Sequence, residues 1–250
     1  MQENFGMSKN LILFDVDGTL TKSRLKIEPP MVEMINKLKG LDNIDIGIVG
    51  GSNLVKQEEQ LGKENIKLFD WIFSENGLMA FKGDQLINRT SIKDFLGEEK
   101  ICELIDRVLL CFSQIKLPVK RGTFIEFRNG MINICPVGRS CSQEEREQFF
   151  ALDQEKNIRK LVVAYLEKHL PHLGLSYSIG GQISIDVFPK GWDKTYCLQF
   201  VDDKYDKIYF FGDRTIKGGN DYEIFNHKRT EGYAVEKPED TIKYLNEIFF

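Results

Sequence analysis

Residues 11–19 read Leu-Ile-Leu-Phe-Asp-Val-Asp-Gly-Thr. Four consecutive apolar residues suit a strand buried on both faces, and Asp15-Val16-Asp17-Gly18-Thr19 takes the chain out of it through a tight polar turn. Downstream, Met31, Met34, Ile35 and Leu38 recur at helical spacing. A second buried strand is predicted over Ile44–Val49, ending in Gly50-Gly51-Ser52, then a helix over 53–62 and a third strand at Trp71–Phe73. The same texture returns near the other end of the chain. Gly191 precedes a helical stretch at Asp193–Phe200, and strand Lys207–Phe211 runs into Gly212-Asp213. A short strand near Tyr233–Val235 and a helix over 238–248 follow. Strands alternating with helices predict right-handed βαβ units and a parallel sheet.

The middle of the chain is different. Phe124–Arg128 and Met131–Cys135 flank Asn129-Gly130, which predicts a hairpin with a type I′ turn. A second hairpin is predicted from Tyr177–Ile179, Gly180-Gly181 and Gln182–Phe188. Helical stretches are predicted over 98–114 and 143–169, the latter opened by a capping box, Ser142-Gln143-Glu144-Glu145. The expected architecture is α/β: a Rossmann-like parallel-sheet core over 1–85 and 188–250, interrupted at 86–187 by an inserted α+β cap domain of antiparallel sheet plus helices. The insert is close to neutral, whereas the flanking segments carry the chain's net negative charge.

Composition excludes several classes. With 250 residues, 42% of them hydrophobic, the chain can bury a real core and is not a disordered tail. A net charge of −4 argues against a nucleic-acid binder. The wholly apolar runs are only a few residues long, so no transmembrane helix and no membrane partner is expected, and MQENFGMSKN lacks the apolar segment of a secretory signal. Five scattered cysteines (Cys102, Cys111, Cys135, Cys141, Cys197) read as free thiols of a reducing, cytoplasmic compartment.

The chemistry points to the carboxylates. Asp15 and Asp17 sit where a buried strand leaves the sheet, and ligand sites of open α/β sheets lie at those carboxyl ends. Asp213 ends another strand about 200 residues later. Three crowded carboxylates need a cation, and hard oxygen ligands suit Mg²⁺. A carboxylate beside a magnesium ion suits phosphoryl transfer with an aspartyl nucleophile. Gly18 lets the loop wrap a phosphate, Ser52 can donate to a phosphate oxygen, and Lys194 can supply positive charge. Taken singly, each feature has an ordinary reading: a surface turn, an N-cap, a solvated lysine. Their order along the chain, strand–DxDGT, strand–GGS, helical lysine, strand–GD, is what speaks for a site.

Those four features resemble the motifs of the haloacid dehalogenase superfamily, with Asp15-Val16-Asp17-Gly18-Thr19, Ser52, Lys194 and Gly212-Asp213 in the four places and the insert resembling its mobile cap. The segments FDVDGTLT, VGGS, ENGL, KRGTFIEFRNGM, GRSCSQEER, YFFGD and the glycine-rich runs near 180 and 218 resemble the eukaryotic α-phosphomannomutase family along nearly the whole chain. The resemblance implies an isomerase that interconverts mannose 6-phosphate and mannose 1-phosphate for GDP-mannose synthesis, with a hexose 1,6-bisphosphate as intermediate and activator. It makes Asp15 the nucleophile and Asp17 the general acid and base, and it has Asp15, the backbone carbonyl of Asp17, and Asp213 hold Mg²⁺. It puts Arg24, Arg128, Arg139, Arg146, Ser184 and Asp186 on substrate-binding positions. A further cation site falls on Phe225 (backbone), His227 and Thr230, where the family usually has Asp in place of His227. It also implies a homodimer through the caps.

The residues bear on the same roles independently. Arginine's planar fork suits a phosphate held far from the nucleophile, and Arg128, Arg139 and Arg146 fall near one end of the predicted cap sheet. Taken alone they read equally well as solvated side chains or partners of Glu144 and Glu145. Ser184 and Asp186 alternate along one strand and share a face, opposite Ile183, Ile185 and Val187, which suits sugar hydroxyls or plain solvent. Two other activities use the same motifs: a sugar-phosphate phosphatase of the same superfamily, and a non-enzymatic phospho-accepting switch on Asp15. Asp17 and the distal arginines speak against the switch, which needs neither.

Overall fold

The computed structural model describes residues 9–250. The first eight residues, part of the stretch read for a secretory signal, lie outside the described residues. In chain order the elements are β1 (Asn10–Phe14), α1 (Pro29–Lys39), β2 (Ile44–Val49), α2 (Leu54–Leu61), β3 (Trp71–Ser74), β4 (Met79–Lys82) and β5 (Gln85–Arg89). Then come α3 (Ile92–Leu96), α4 (Glu98–Gln114), β6 (Ile125–Phe127), β7 (Ile132–Ile134), α5 (Gln143–Lys156), α6 (Ile158–His169), β8 (Leu175–Gly180) and β9 (Ser184–Pro189). The chain closes with β10 (Lys207–Gly212), α7 (Tyr222–Phe225), β11 (Thr230–Ala234) and α8 (Pro238–Phe249). Contacts divide the chain into two compact units, one running up to Arg89 and resuming at Gly191, the other Thr90–Lys190.

The first unit holds a seven-stranded sheet in the order β11-β10-β1-β2-β3-β4-β5. Its first five strands are parallel, and β4 and β5 add an antiparallel edge. Alternation along β1 explains the layers. Ile12 and Phe14 join the cluster that includes Met31, Met34, Ile35 and Leu38 of α1, while Leu11 and Leu13 join Trp71, Phe73, Cys197 and Val201 on the opposite face. Each of those four α1 side chains is buried, which is worth roughly 1.5–3 kcal/mol apiece. The order of strands places β10, the last long strand, beside β1, with Phe14 paired to Phe211. Two loops that lie about 200 residues apart in sequence therefore emerge side by side.

The β4–β5 hairpin was absent from the sequence reading. Leu86 and Ile87 are exposed, so β5 lacks the alternation of a strand that covers a core. It extends the core sheet to Arg89, which moves the unit boundary a few residues beyond the expected one.

The second unit carries a four-stranded antiparallel sheet, β6-β7-β9-β8, packed through Ile134, Ile185 and Val187. Three expectations change here and at the return to the core. The helix over 143–169 is two helices, broken at Asn157, whose left-handed backbone (φ 51°, ψ 39°) ends α5. The capping box of Ser142 and Glu145 does form. The Asn129-Gly130 turn is not type I′, because neither residue has positive φ; Phe127 pairs with Ile132 and a four-residue connection spans the gap. The stretch Lys194–Phe200 is a 3-10 helix, with Asp193 capping it through Thr195 N at 2.8 Å.

Candidate active site

Asp15 follows β1 directly, and its N–H donates to the carbonyl of Phe211 at 2.9 Å, so the Asp15 loop is tied to the end of β10. Gly18 has φ +78°, and a Cβ there would lie 2.4 Å from Asp213 Oδ2, so only glycine lets the Asp213 carboxylate approach the loop this closely. Gly212 serves a second approach: a Cβ at that position would stand 2.7 Å from Asp221 Oδ2. Asp15, Asp213 and Asp221 consequently present oxygens that all lie within 4.8 Å of one another.

Lys194 stands inside this cluster. Its Nζ donates to Asp15 Oδ1 and, at 2.5 Å, to Asp221 Oδ1. All three side chains are buried. Burial pushes the Asp15 carboxyl up to about 7; Lys194 opposes the rise, and Asp221 and Asp213 add to it. Burial also raises Asp213, aided by Asp221 and opposed by Arg214 and Lys194. Burial works to lower Lys194, yet Asp15 and Asp221 hold it above the ordinary lysine value. One lysine against three carboxylates leaves an anionic centre built of oxygen donors, and that donor set fits a divalent magnesium ion.

A cavity of about 240 Å³ opens onto these groups, lined by Asp15, Asp17, Arg24, Ser52, Gln57 and Asp213 among others. Asp17 is held from two sides. Its Oδ1 accepts from the backbone N–H of Arg24 and from Gln60 Nε2, each at 2.7 Å. Arg24 achieves this with φ 62°, a backbone region unusual for a residue with a side chain. Ser52 lies past β2 on the cavity wall, and its carbonyl accepts from Glu75 N at 3.0 Å.

Arg128, Arg139, Arg146, Ser184 and Asp186 all belong to the second unit. Arg128 and Arg139 converge, both on Glu126. Arg139 also donates through Nη1 to Asn133 Oδ1 at 2.8 Å, and Asn133 Nδ2 donates to Asp186 Oδ1 at 2.6 Å. Arg146 lies in the first turn of α5, outside this group. Its neighbour Glu145 pairs with Arg121 instead. Ser184 opposes Gly180 in the β8–β9 ladder, and its carbonyl accepts from the buried Arg159, which is paired to Asp153 and also donates to the carbonyls of Gly180 and Gly181.

Phe225, His227 and Thr230 do share one turn, between α7 and β11. The Thr230 hydroxyl donates to the carbonyls of Ile224 and His227, and His227 Nδ1 accepts the backbone N–H of Arg229 at 3.3 Å. That ring nitrogen is thus engaged within the loop.

Asp221 and Gln60 are the site residues that the sequence reading missed. Asp221 lies eight residues beyond Asp213, past Gly218-Gly219, where a carboxylate reads as part of a turn. Gln60 sits in an amphipathic helix where glutamine reads as surface. A half-buried glutamine beside Leu61 carries no chemical signature of its own, and its contact with Asp17 appears only in the folded chain.

A profile of the family described as eukaryotic phosphomannomutase matches residues 31–250. The chain is 53% identical to a phosphomannomutase of Dendrobium officinale over 231 residues, covering 92% of this chain and 90% of the relative. It is 52% identical to phosphomannomutase 1 of Dictyostelium discoideum over 242 residues, covering 96% of each. Among solved structures, a trehalose-6-phosphate phosphatase of Aspergillus fumigatus superposes with a TM-score of 0.62 at 16% identity, over 96% of this chain and 92% of that one. A haloacid dehalogenase-like hydrolase of Bacteroides thetaiotaomicron gives 0.60 at 14% identity, over 96% and 100%. The structural likenesses establish the shared fold.

Proposed function

The chain belongs to the eukaryotic phosphomannomutase family, and from that membership we propose how it works as an isomerase: it interconverts mannose 6-phosphate and mannose 1-phosphate by way of a phosphoryl group carried on Asp15. The observation that supports this best is the convergence of Asp15, Lys194, Asp221 and Asp213 at the mouths of β1 and β10. Relatives with half their residues in common are mutases, whereas the phosphatases resemble the chain only at the level of fold, so the phosphatase alternative gives way.

Phosphorylated Asp15 passes its phosphoryl group to a free hydroxyl of a hexose monophosphate. Asp17 accepts the hydroxyl proton on one carboxylate oxygen while Arg24 N–H and Gln60 hold the other. The product is a hexose 1,6-bisphosphate and a free Asp15. After the bisphosphate reverses, Asp15 takes the second phosphoryl group, and Asp17 returns its proton to the leaving oxygen. Lys194 keeps Asp15 oriented and partly neutralised throughout. Magnesium held by Asp15, Asp213, Asp221 and the Asp17 carbonyl would screen the nucleophile from the phosphate and polarise the phosphoryl oxygens. Arg24, Ser52 and the cap residues Arg128, Arg139, Arg146, Ser184 and Asp186 would hold the sugar and its other phosphate. An added hexose 1,6-bisphosphate acts as activator by phosphorylating Asp15.

Free thiols at all five cysteines support a reducing, cytoplasmic location, and no helix among the described residues is long and apolar enough to cross a membrane. Exposed Leu109, Leu110 and Leu161 on cap helices support a homodimer through the caps. Mannose 1-phosphate so formed would supply GDP-mannose synthesis. The turn at Phe225, His227 and Thr230 is proposed as a second cation site through backbone carbonyls, with its His227 nitrogen already engaged.

The deciding assay follows mannose 1-phosphate turnover with and without a hexose 1,6-bisphosphate while measuring free phosphate. A mutase responds to the activator and conserves phosphate. Stoichiometric phosphate release would overturn the reading in favour of hydrolysis.

A further inference from the structure

The open face of the cap sheet carries an acid among its arginines. Strand register aligns Glu126 with Asn133, Asn133 with Asp186, and Asp186 with Ser178, so four polar residues form one row across β6, β7, β9 and β8. Glu126 stands at the end of the row where the arginines gather. A single oxygen, Oε2, receives Arg128 through Nε at 3.2 Å and Nη2 at 2.5 Å, and Arg139 through Nε at 3.1 Å. Asn133, buried, links Arg139 to Asp186 and so fixes the far side of the same guanidinium. The side chains of Glu126, Arg128 and Arg139 remain 39%, 40% and 32% exposed.

We infer that Glu126 is a resident counter-anion of the cap arginines, occupying the donors that a substrate phosphate must take over and thereby setting how tightly that phosphate is held. The inference rests on the proposed role of Arg128 and Arg139 in binding the non-reacting phosphate. Solvent-exposed ion pairs are weak and exchange readily, so Glu126 can be displaced. A phosphate carries nearly two charges and three acceptor oxygens, and it outcompetes one carboxylate for the same guanidinium forks. What the substrate gains is the difference between the two partners rather than the full attraction.

That difference matters for a mutase. Its bisphosphate must let go of the distal site and return the other way round in every cycle. Binding shared equally by ground and transition states would trap that intermediate. A carboxylate that closes on the arginines as the phosphate departs keeps them from being left unpaired, and so it favours release.

The test compares the full-length Mg²⁺-loaded enzyme with its Glu126→Gln variant. The inference expects KM for mannose 1-phosphate to fall roughly three- to tenfold, the inhibition constant of inorganic phosphate to fall by a similar factor, and kcat to fall as release slows. Arg139→Ala in the otherwise unchanged enzyme serves as the reference and should raise KM at least roughly tenfold. If Arg139→Ala raises KM while Glu126→Gln leaves both constants unchanged or higher, Glu126 is a structural partner only, and the arginine role stands. If Arg139→Ala leaves KM unchanged, the arginine role itself falls, and the inference with it. Should Glu126→Gln fail to fold, Glu126→Asp withdraws the carboxylate while keeping its charge, and the same fall in the phosphate inhibition constant is expected; a rise overturns the inference.

Discussion

Gln60 Nε2 and the backbone N–H of Arg24 both donate to Asp17 Oδ1 at 2.7 Å, which orients the carboxylate and leaves its other oxygen to the proposed proton transfers. Gln60→Ala should therefore lower kcat about tenfold with little change in KM, because orientation of the acid and base is lost while binding contacts remain. Gln60→Glu should be worse, since a carboxylate in place of the amide donor would repel Asp17 rather than hold it. Steady-state kinetics of the two variants check both statements. Equal rates for all three proteins would remove Gln60 from the machinery.

Asp15→Asn keeps the shape of the loop and removes the carboxylate that the proposed covalent step requires. Turnover should drop by at least roughly 10³, and no phosphorylated protein should accumulate after mixing with a hexose 1,6-bisphosphate. Mass spectrometry of the acid-quenched protein reads the second outcome. A variant that turns over at near the normal rate would refute covalent catalysis at this position.

Lys194 is buried with Asp15 and Asp221 as its partners. Lys194→Met strands two buried carboxylates and should destabilise the metal-free chain by about 3–5 kcal/mol. Added Mg²⁺ should restore part of that loss by supplying the missing positive charge. Urea unfolding with and without the metal checks both statements, and unchanged stability without metal would mean that the lysine is not compensating the cluster.

Burial raises the Asp15 carboxyl from the ordinary 3.8 to about 7, against the pull of Lys194. The folded metal-free chain thus binds a proton that the unfolded chain has already lost, so the contribution of Asp15 is fully present below about pH 3.8 and disappears as pH rises through about 7. Relative to Asp15→Asn, the metal-free protein should lose stability across that window and level off above it. Magnesium affinity should rise over the same range, because the ion must displace that proton. Thermal melts and calorimetric titrations at several pH values measure the two trends; a stability difference flat with pH would contradict the shift.

Gly18→Ala places a methyl group 2.4 Å from Asp213 Oδ2, on a backbone with φ +78°. Both the turn and the carboxylate must move. Magnesium affinity should fall more than tenfold while the fold persists, because the damage is confined to the loop. Unaltered metal binding by titration would show that the loop tolerates the displacement.

Much of the first unit could be read in advance because each signal there is local and strong. Four apolar residues before Asp15, the largely apolar Ile44–Val49 before Gly50, and the Lys207–Phe211 run each announce a buried strand. The position of the candidate site, at their carboxyl ends, follows from that placement. Asp221 could not be read, since its role depends on Gly212 lacking a side chain and on β10 lying beside β1, neither of which is encoded near residue 221. The break at Asn157 is not legible in the sequence, because both flanks read as helix and one left-handed residue suffices to end it. At Asn129-Gly130 tertiary pairing overrode a strong local turn preference: the β6–β7 ladder stops at Phe127 and Ile132. Of the cap row from Glu126 to Ser178 only Asp186 was visible, because cross-strand register is a property of the assembled sheet.

The arrangement of β10 against β1 also bears on the birth of the protein. Ribosomes deliver the Asp15 loop early, yet its lysine partner arrives almost 180 residues later and two of its fellow acids later still. A nascent chain that has not yet threaded β10 into its slot carries a complete-looking signature motif with no working centre. Enzymatic activity in this protein is therefore a late event of synthesis, and its appearance reports that the last third of the polypeptide has come home.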